Sequence, residues 1–317
     1  MNPLISVLLP IAGSDYERVA ISIQSIINQT LKNIELICII DEPYDSKLSK
    51  LVLSFSSSID PQIVILTNDR KSGISYSLNR AAKVAKADLI ARMDSDDQSF
   101  SNRLELQYNF MQAHPEIVLV GMQAVQVNSE RELIGISNKP LNHTQISRYA
   151  HYACPLIHPT WCIRKNVFFK LGGYLNIAPA QDYHFISKLL RAGFKLANLS
   201  VPGLCYTVRE QSLSRKNIYT TISIANYIRR SIASGRNFDE LIVEKIRKNK
   251  KSKYFEFLYK IRSFGLLHYK SKNLIYSILS SFVVCLSSMF HWALLLDTYA
   301  LINIQFLRWK KDLTVAE

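Results

Sequence analysis

Residues 4–100 predict an α/β fold, an open sheet of parallel strands covered by helices on both faces. Three observations carry this expectation. Short apolar runs of strand length alternate with stretches of helical spacing, joined by short loops. The runs are rich in Ile, Leu and Val, as strands buried on both faces are. Successive runs end at Pro10, Asp41 and Asp94, which such a sheet opens on one rim.

The first run, Leu4 to Leu9, is stopped by Pro10, and a loop from Ile11 to Asp15 follows. Val19, Ile23, Ile26, Ile27 and Leu31 then recur at helical spacing. Ile34 to Ile40 reads as a second buried strand, closed by Asp41-Glu42-Pro43. Residues 45–57 look helical, Gln62 to Leu66 is a third strand, and 73–86 is a helix carrying Leu78, Ala81, Ala82 and Ala85. Asp88 to Ala91 is a fourth strand, which delivers Arg92-Met93-Asp94-Ser95-Asp96-Asp97.

After residue 97 the rhythm changes. Ser101 to Ala113 is a helix with Ser101 as its N-cap. Ile117 to Val127 and Glu132 to Ile136 make a hairpin, and 143–150 a short helix. Thr160 to Arg164 is a strand, followed by a helical turn from Lys165 to Leu171 that Gly172-Gly173 stops. Asp182 to Ala192 is a helix ended by Gly193, and Phe194 to Leu199 and Leu204 to Val208 are two short strands.

The chain has 317 residues, enough for one large domain or two, and 48% of them are hydrophobic. The net charge of +14 is uneven, since residues 245–272 hold ten Lys or Arg against Glu256 alone. Such a run suggests an anionic surface, either membrane headgroups or nucleic acid. Beyond about residue 211 the chain looks helical, and Asn273 to Leu296 has no Asp, Glu, Lys or Arg across 24 residues. That length can span a bilayer. Five serines and His291 lower its hydrophobicity, however, and Trp292, Trp309 and the flanking basic residues suit an interface. The expectation is an amphipathic hairpin on the cytoplasmic leaflet; the alternative is an apolar pair packed on protein. The five cysteines are scattered without a C-x-x-C pair, so zinc binding is not expected and nothing asks for an oxidising compartment. The N-terminus lacks the features of a secretory signal, so the machinery is expected in the cytoplasm.

The chemistry gathers at Ala91 to Asp97, where three carboxylates fall within four positions at a strand's carboxyl end. In a parallel sheet such residues face the ligand crevice. Oxygen donors of this kind suit a hard divalent cation, Mg2+ or Mn2+, which also bridges phosphates. The bland alternative is a polar loop that caps the next helix.

Several separated stretches agree with one family. They are Ile5 to Pro10, Ile34 to Glu42, Asn68 to Asn79, Ala91 to Asp97, His158-Pro159-Thr160, Leu171 to Tyr174, and Asp182. In their order and spacing the chain resembles the inverting family-2 glycosyltransferases of GT-A fold, over residues 4–210. It looks most like bacterial enzymes of exopolysaccharide and O-antigen assembly that extend lipid-linked sugars. The resemblance implies a nucleotide-diphospho-sugar transferase fold, Rossmann-like, with a mixed sheet flanked by helices. It implies residues 1–210 as the catalytic domain and 211–317 as a helical extension with the basic segment and the membrane-associating helices. It implies a UDP-sugar donor, a divalent metal (Mn2+ or Mg2+), and a saccharide or lipid-linked oligosaccharide acceptor. The enzyme is then expected at the inner face of the cell membrane, peripherally, with no nucleic acid partner.

The resemblance also assigns residues. Asp96 holds the metal, with Asp94 sharing it or holding the ribose, while Asp97 is either a third ligand or a helix cap. Asp41 matches the acid that accepts from the uracil edge, although the usual Asp-Asp-Gly-Ser is here Asp41-Glu42-Pro43-Tyr44. Pro10 lies beneath the nucleotide, and Gly73 and Asn79 match the loop and helix before the metal strand. Arg70 and Lys71 are placed for phosphates or are plain surface charges. Asp182 matches the general base that takes the acceptor proton, against a bland reading as a helix N-terminal charge. His158 is either a ligand to diphosphate or acceptor, or a buried satisfied histidine. Arg209 holds a phosphate, orders a closing loop, or makes a surface ion pair. Two other functions stay open: a silent homologue that binds sugar nucleotides without transfer, and a nucleic-acid binder using segment 245–272, where aromatics are interleaved.

Overall fold

The computed structural model describes residues 2–13, 15–56, 62–208, 218–235 and 238–248. Arg209 and residues 249–317 fall outside the described residues, and with them most of the basic segment and all of the uncharged stretch. The chain divides into two compact units. The first comprises Met1–Ser147 with Cys154–Glu210, and the second Arg148–Ala153 with the chain from Gln211 on.

In chain order the elements open with β1 (Ile5–Ile11), α1 (Tyr16–Ile27), β2 (Glu35–Ile40), α2 (Ser46–Ser54), β3 (Gln62–Thr67), α3 (Ile74–Val84) and β4 (Leu89–Arg92). They continue with β5 (Gln98–Ser99), α4 (Arg103–Ala113), β6 (Ile117–Val127), β7 (Leu133–Ile136), α5 (His143–Ala150) and a 3-10 turn (His158–Thr160). The last are β8 (Cys162–Arg164), α6 (Lys165–Lys170), α7 (Gln181–Arg191), β9 (Lys195–Thr207), α8 (Ile218–Ser234) and α9 (Glu240–Lys248).

One mixed sheet runs β3-β2-β1-β4-β8-β6-β9-β5, and β7 pairs with β6 outside that path. The first four strands are parallel. The short β8 is antiparallel to both β4 and β6, which joins the parallel half to the rest. Alternation along the strands explains the layers. Ile5, Val7, Leu9 and Ile11 of β1, with Leu36, Cys38 and Ile40 of β2, pack against Val19, Ile23 and Ile26 of α1 and Leu48 and Val52 of α2. Leu8, Ile37 and Ile39 face the opposite layer, with Leu78, Ala81 and Ala82 of α3 and the aromatics Trp161, Phe168 and Phe185. Both faces are covered, so β1 and β2 are buried at every position. Asp15 and Asp45 cap α1 and α2, accepting from the N–H groups of Arg18 at 3.3 Å and Leu48 at 2.9 Å.

Several expectations need correction. Pro10 does not stop β1, which runs through it to Ile11. Leu8 gives its carbonyl to Met93 on the β4 side and Ile11 gives its carbonyl to Asp41 on the β2 side. By parity the missing N–H of Pro10 points towards β4, beyond the last pair Leu8↔Arg92, where no partner is needed. Ser101 does not cap α4; the helix starts at Arg103, and Gln29 Oε1 accepts from Leu104 N at 3.0 Å in its stead. The two strands expected after Phe194 are the single strand β9. Its register slips between Leu199↔Met122 and Pro202↔Gln123, so Ser200-Val201-Pro202-Gly203 reads as a turn but forms an irregular strand. Strand β5 was not expected at all.

In the second unit, α8 buries Ile222, Ile224 and Ile228, and the Tyr227 ring lies 5.0 Å from that of Phe238. No helix among the described residues is long and apolar enough to cross a membrane.

Candidate active site

Asp94, Asp96 and Asp97 converge just beyond β4, with ligand atoms within 4.8 Å of one another. The backbone around them is pinned from three directions. Met93 N donates to Leu8 O at 3.1 Å, and Ser22 Oγ donates to Asp94 O at 2.9 Å. Thr207, at the end of β9, donates its N–H to Asp97 Oδ1 and its hydroxyl to Asp96 O, both at 2.8 Å. Strand β5 continues that tie, with Gln98 opposite Cys205 and Ser99 opposite Leu204. Asp97 is therefore no helix cap. It is 2% exposed, and its Oδ2 has no hydrogen-bond partner among the described residues. Burial pushes its carboxyl well above the ordinary range, and the charges of Asp94 and Asp96 push it further, against Thr207 N–H and Arg92. Three crowded carboxylates, one holding an orphaned buried oxygen, make an all-oxygen donor set that fits a hard divalent cation.

Two buried arginines stand behind this cluster. Arg103 donates to the carbonyl oxygen of Arg92, to Met93 Sδ at 3.2 Å and to Gln107 Oε1 at 3.3 Å, and burial lowers its pKa to about 10. Arg92 ion-pairs with Asp94. Its charge also acts on Asp182 and on the Tyr174 hydroxyl, and that hydroxyl in turn feels both Asp182 and Asp94. Arg92 and Tyr174 thus lie within electrostatic reach of the acidic cluster and of Asp182.

Asp182 occupies the first turn of α7, whose N-cap Ala180 supplies no side-chain bond. The carboxylate is half-buried, and Cys154 Sγ lies 3.8 Å from its Oδ2. Burial raises its pKa, opposed by the N–H of Tyr183 and by Arg92. A carboxylate shifted upward is a better proton acceptor than an ordinary one. His158 is a buried, satisfied histidine: its Nε2 is 2.9 Å from the Tyr174 hydroxyl and its ring is edge-on to Trp161 at 4.7 Å. Burial, with Arg92, holds it well below the usual imidazole range and therefore neutral.

Asp41, the residue expected at the base edge, is buried at the end of β2. Its carboxylate accepts from Asn68 Nδ2 at 2.6 Å and from the N–H groups of Ser72 and Gly73 at 2.8 Å each, which wraps the 68–73 loop around it. Gly73 precedes α3 with φ +86. Asn79 points elsewhere: it donates to Tyr174 O at 2.8 Å and accepts from Tyr174 N at 2.9 Å. It clamps the turn after α6, where Gly173 has φ +63 and an added Cβ would meet Asn79 Oδ1 at 2.6 Å. Arg70 is exposed and Lys71 pairs with Glu42. Arg70, Lys71, Ser75, Asn79 and Tyr174 line part of a cavity of about 690 Å³.

Arg92 stands inside the Ala91 to Asp97 run, yet the sequence alone gives it no role. The available signal was a cation inside an apolar strand, two positions before the acids. Tyr174 closes the Leu171 to Tyr174 stretch of the resemblance without a role there, while Thr207 and Cys154 join the site only through the fold, and no local pattern marks those two.

Residues 6–172 match the family model "Glycosyl transferase family 2". The chain is 30% identical over 241 residues to the O-antigen biosynthesis glycosyltransferase WbnJ of Escherichia coli, covering 75% of this chain and 92% of that protein. It is 25% identical over 210 residues to the Escherichia coli UDP-Glc:alpha-D-GlcNAc-diphosphoundecaprenol beta-1,3-glucosyltransferase WfaP, covering 66% of this chain and 79% of that protein. The crystal structure of S. aureus TarS 1-349 in complex with UDP-GlcNAc shares the fold at a TM-score of 0.60 and 17% identity, covering 94% of this chain and 89% of that one. The expected GT-A architecture is thereby met, and the chain belongs to glycosyl transferase family 2.

Proposed function

We propose that this glycosyltransferase moves a sugar, with inversion, from a UDP-sugar to a saccharide acceptor carried on polyprenyl diphosphate, in the assembly of a surface polysaccharide. The observation that carries the reading is the convergence of three carboxylates beyond β4, linked electrostatically through Arg92 and Tyr174 to the raised carboxylate of Asp182. The names of WbnJ and WfaP support the pathway class and the lipid-linked acceptor, and the UDP-GlcNAc bound to TarS supports the donor class.

In this reading Asp96 holds the divalent cation, Mn2+ or Mg2+, with Asp94 sharing it or holding the ribose. When bound, that cation stabilises the charge growing on the departing diphosphate. A carboxylate offers about four acceptor positions. Asp41 has three of them filled internally, which leaves room for a donor from the base edge. Pro10 lines the floor beneath the nucleotide, Gly73 lets the loop turn there, and Arg70 meets phosphate. Asn79 acts indirectly, by fixing the Tyr174 turn. Asp182 takes the proton from the acceptor hydroxyl as its oxygen attacks the anomeric carbon. Arg209 remains a phosphate candidate by resemblance. The basic segment 245–272 and the apolar stretch after it suit peripheral attachment to the inner face of the membrane, close to a lipid-borne acceptor.

The test is transfer by the purified chain from a panel of UDP-sugars, with Mn2+, with Mg2+ and with chelator, reading the anomeric configuration of the product. Metal-dependent transfer with inversion is expected. Donor binding without transfer to any saccharide would turn the reading towards a silent homologue. Fractionating the full chain beside one cut near residue 270 tests attachment, and equal solubility of both would remove it.

A further inference from the structure

Arg92 has a second consequence, which rests on the metal reading above. Its side chain is 5% exposed, against 26% for its partner Asp94. Its Nε and Nη1 have no hydrogen-bond partner among the described residues. Burial disfavours a charge held so sparsely, and the cation persists because carboxylates surround it: Asp94 by direct contact, with Asp97 and Asp182 acting on it or feeling it at longer range. The strand holds it there. Its N–H donates to Trp161 O at 2.8 Å, and its carbonyl takes the guanidinium of Arg103.

A divalent ion arriving at the acidic cluster therefore meets a fixed positive charge that water cannot screen. It must also share Asp94 with that charge. A nucleoside diphosphate arriving with the ion supplies the missing negative charge. We propose that Arg92 is a positioning residue that makes cation binding at Asp94, Asp96 and Asp97 conditional on the diphosphate. It weakens the cluster for the bare ion and holds the Asp94 carboxylate in place for the ion and nucleotide together.

The experiment titrates Mn2+ into the full chain, reading free Mn2+ by electron paramagnetic resonance, with and without UDP. Wild type, Arg92→Gln, Arg92→Lys, Asp94→Asn and Asp96→Ala are compared. UDP is expected to tighten Mn2+ binding to wild type on the order of tenfold or more. Arg92→Gln binds Mn2+ alone about tenfold tighter than wild type, and UDP then adds little. Arg92→Lys, which keeps the charge, follows wild type. A merely structural role predicts the opposite sign, weaker Mn2+ binding on losing Arg92. Should Arg92→Gln not melt cooperatively, Asp94→Asn carries the test, because it leaves the guanidinium unopposed and must enlarge the UDP effect. An unchanged UDP effect in the folded Arg92→Gln, or an enhancement in Asp94→Asn no greater than wild type, overturns the inference alone. Mn2+ binding that Asp96→Ala leaves intact removes the metal reading and this inference with it.

Discussion

The donor and acceptor sides of the proposed reaction centre are built differently. On the donor side, Asp41 is buried with three internal donors, and the acidic cluster is tied by Ser22, Thr207 and Leu8. On the proposed acceptor side, Asp182 is half-buried on the first turn of a helix, with a thiol at 3.8 Å. A group that orients a charged leaving diphosphate gains from rigidity. A group that must accept and release a proton gains from an environment that holds its two protonation states close in energy. The contrast suggests that damage on the donor side is read in binding and damage on the acceptor side in turnover.

The largest expected effect separates the two. Asp182→Asn should lower the transfer rate by about 100- to 10,000-fold while donor binding stays within a few-fold, measured by single-turnover transfer and by UDP-sugar titration. Asp96→Ala should abolish the response to Mn2+ in both assays. Retained turnover in Asp182→Asn would remove the base assignment.

The pH profile sharpens the same point. Burial holds the folded Asp182 above the unfolded carboxylate value of about 3.9. The acid limb of the rate should therefore lie at higher pH than an unperturbed carboxylate would give, with activity lost as pH falls through it. The sign for stability is opposite. The protonated form is favoured in the folded chain, so that stability is fully present below about pH 3.9 and is lost as pH rises through the folded pKa. Asp182→Asn escapes that loss and should melt higher than the parent at neutral pH. A lower melting temperature would count against the raised pKa.

A smaller effect is expected from Asn79→Ala, which removes both bonds to the Tyr174 backbone. Losing them should cost about 1–3 kcal/mol of stability in chemical denaturation. Turnover should fall more than Mn2+ affinity, because the turn that moves carries Tyr174 and not the acidic cluster. The smallest effect belongs to Cys154→Ala, a few-fold change in turnover at most, since a thiol at 3.8 Å is a weak donor. A large loss there would mean that Asp182 is held more tightly than its contacts indicate.

How much of this was legible in the sequence follows the same division. The parallel half was readable because β1 and β2 are buried on both faces and so are apolar throughout, and because Asp41 sits at the end of β2 and the acid run at the end of β4. The later half was harder. Strand β5 has only two residues, too few for any periodicity to show. Strand β9 carries Pro202-Gly203 in its middle, and local turn chemistry masks a strand that tertiary pairing with β6 maintains. Ser101 looked like a cap because the competing donor-acceptor pair comes from Gln29, far away in the chain. At the site, Asp94, Asp96 and Asp97 stood out as an acid run at a strand's end, whereas Asp182 was named only through the family resemblance. Asn79 was nominated as a donor contact but its amide is spent on the Tyr174 backbone, and only the fold reveals that.

The bond from Thr207 to Asp97 spans 110 positions of sequence. Loop closure over such a separation comes late, after local strands and helices have formed. A nascent chain that has emerged only as far as α7 already contains every acid of the centre, yet lacks the strand that seats Asp97. The cluster is thus completed by its last-made strand, and a half-synthesised chain holds its carboxylates without the order that the finished fold gives them.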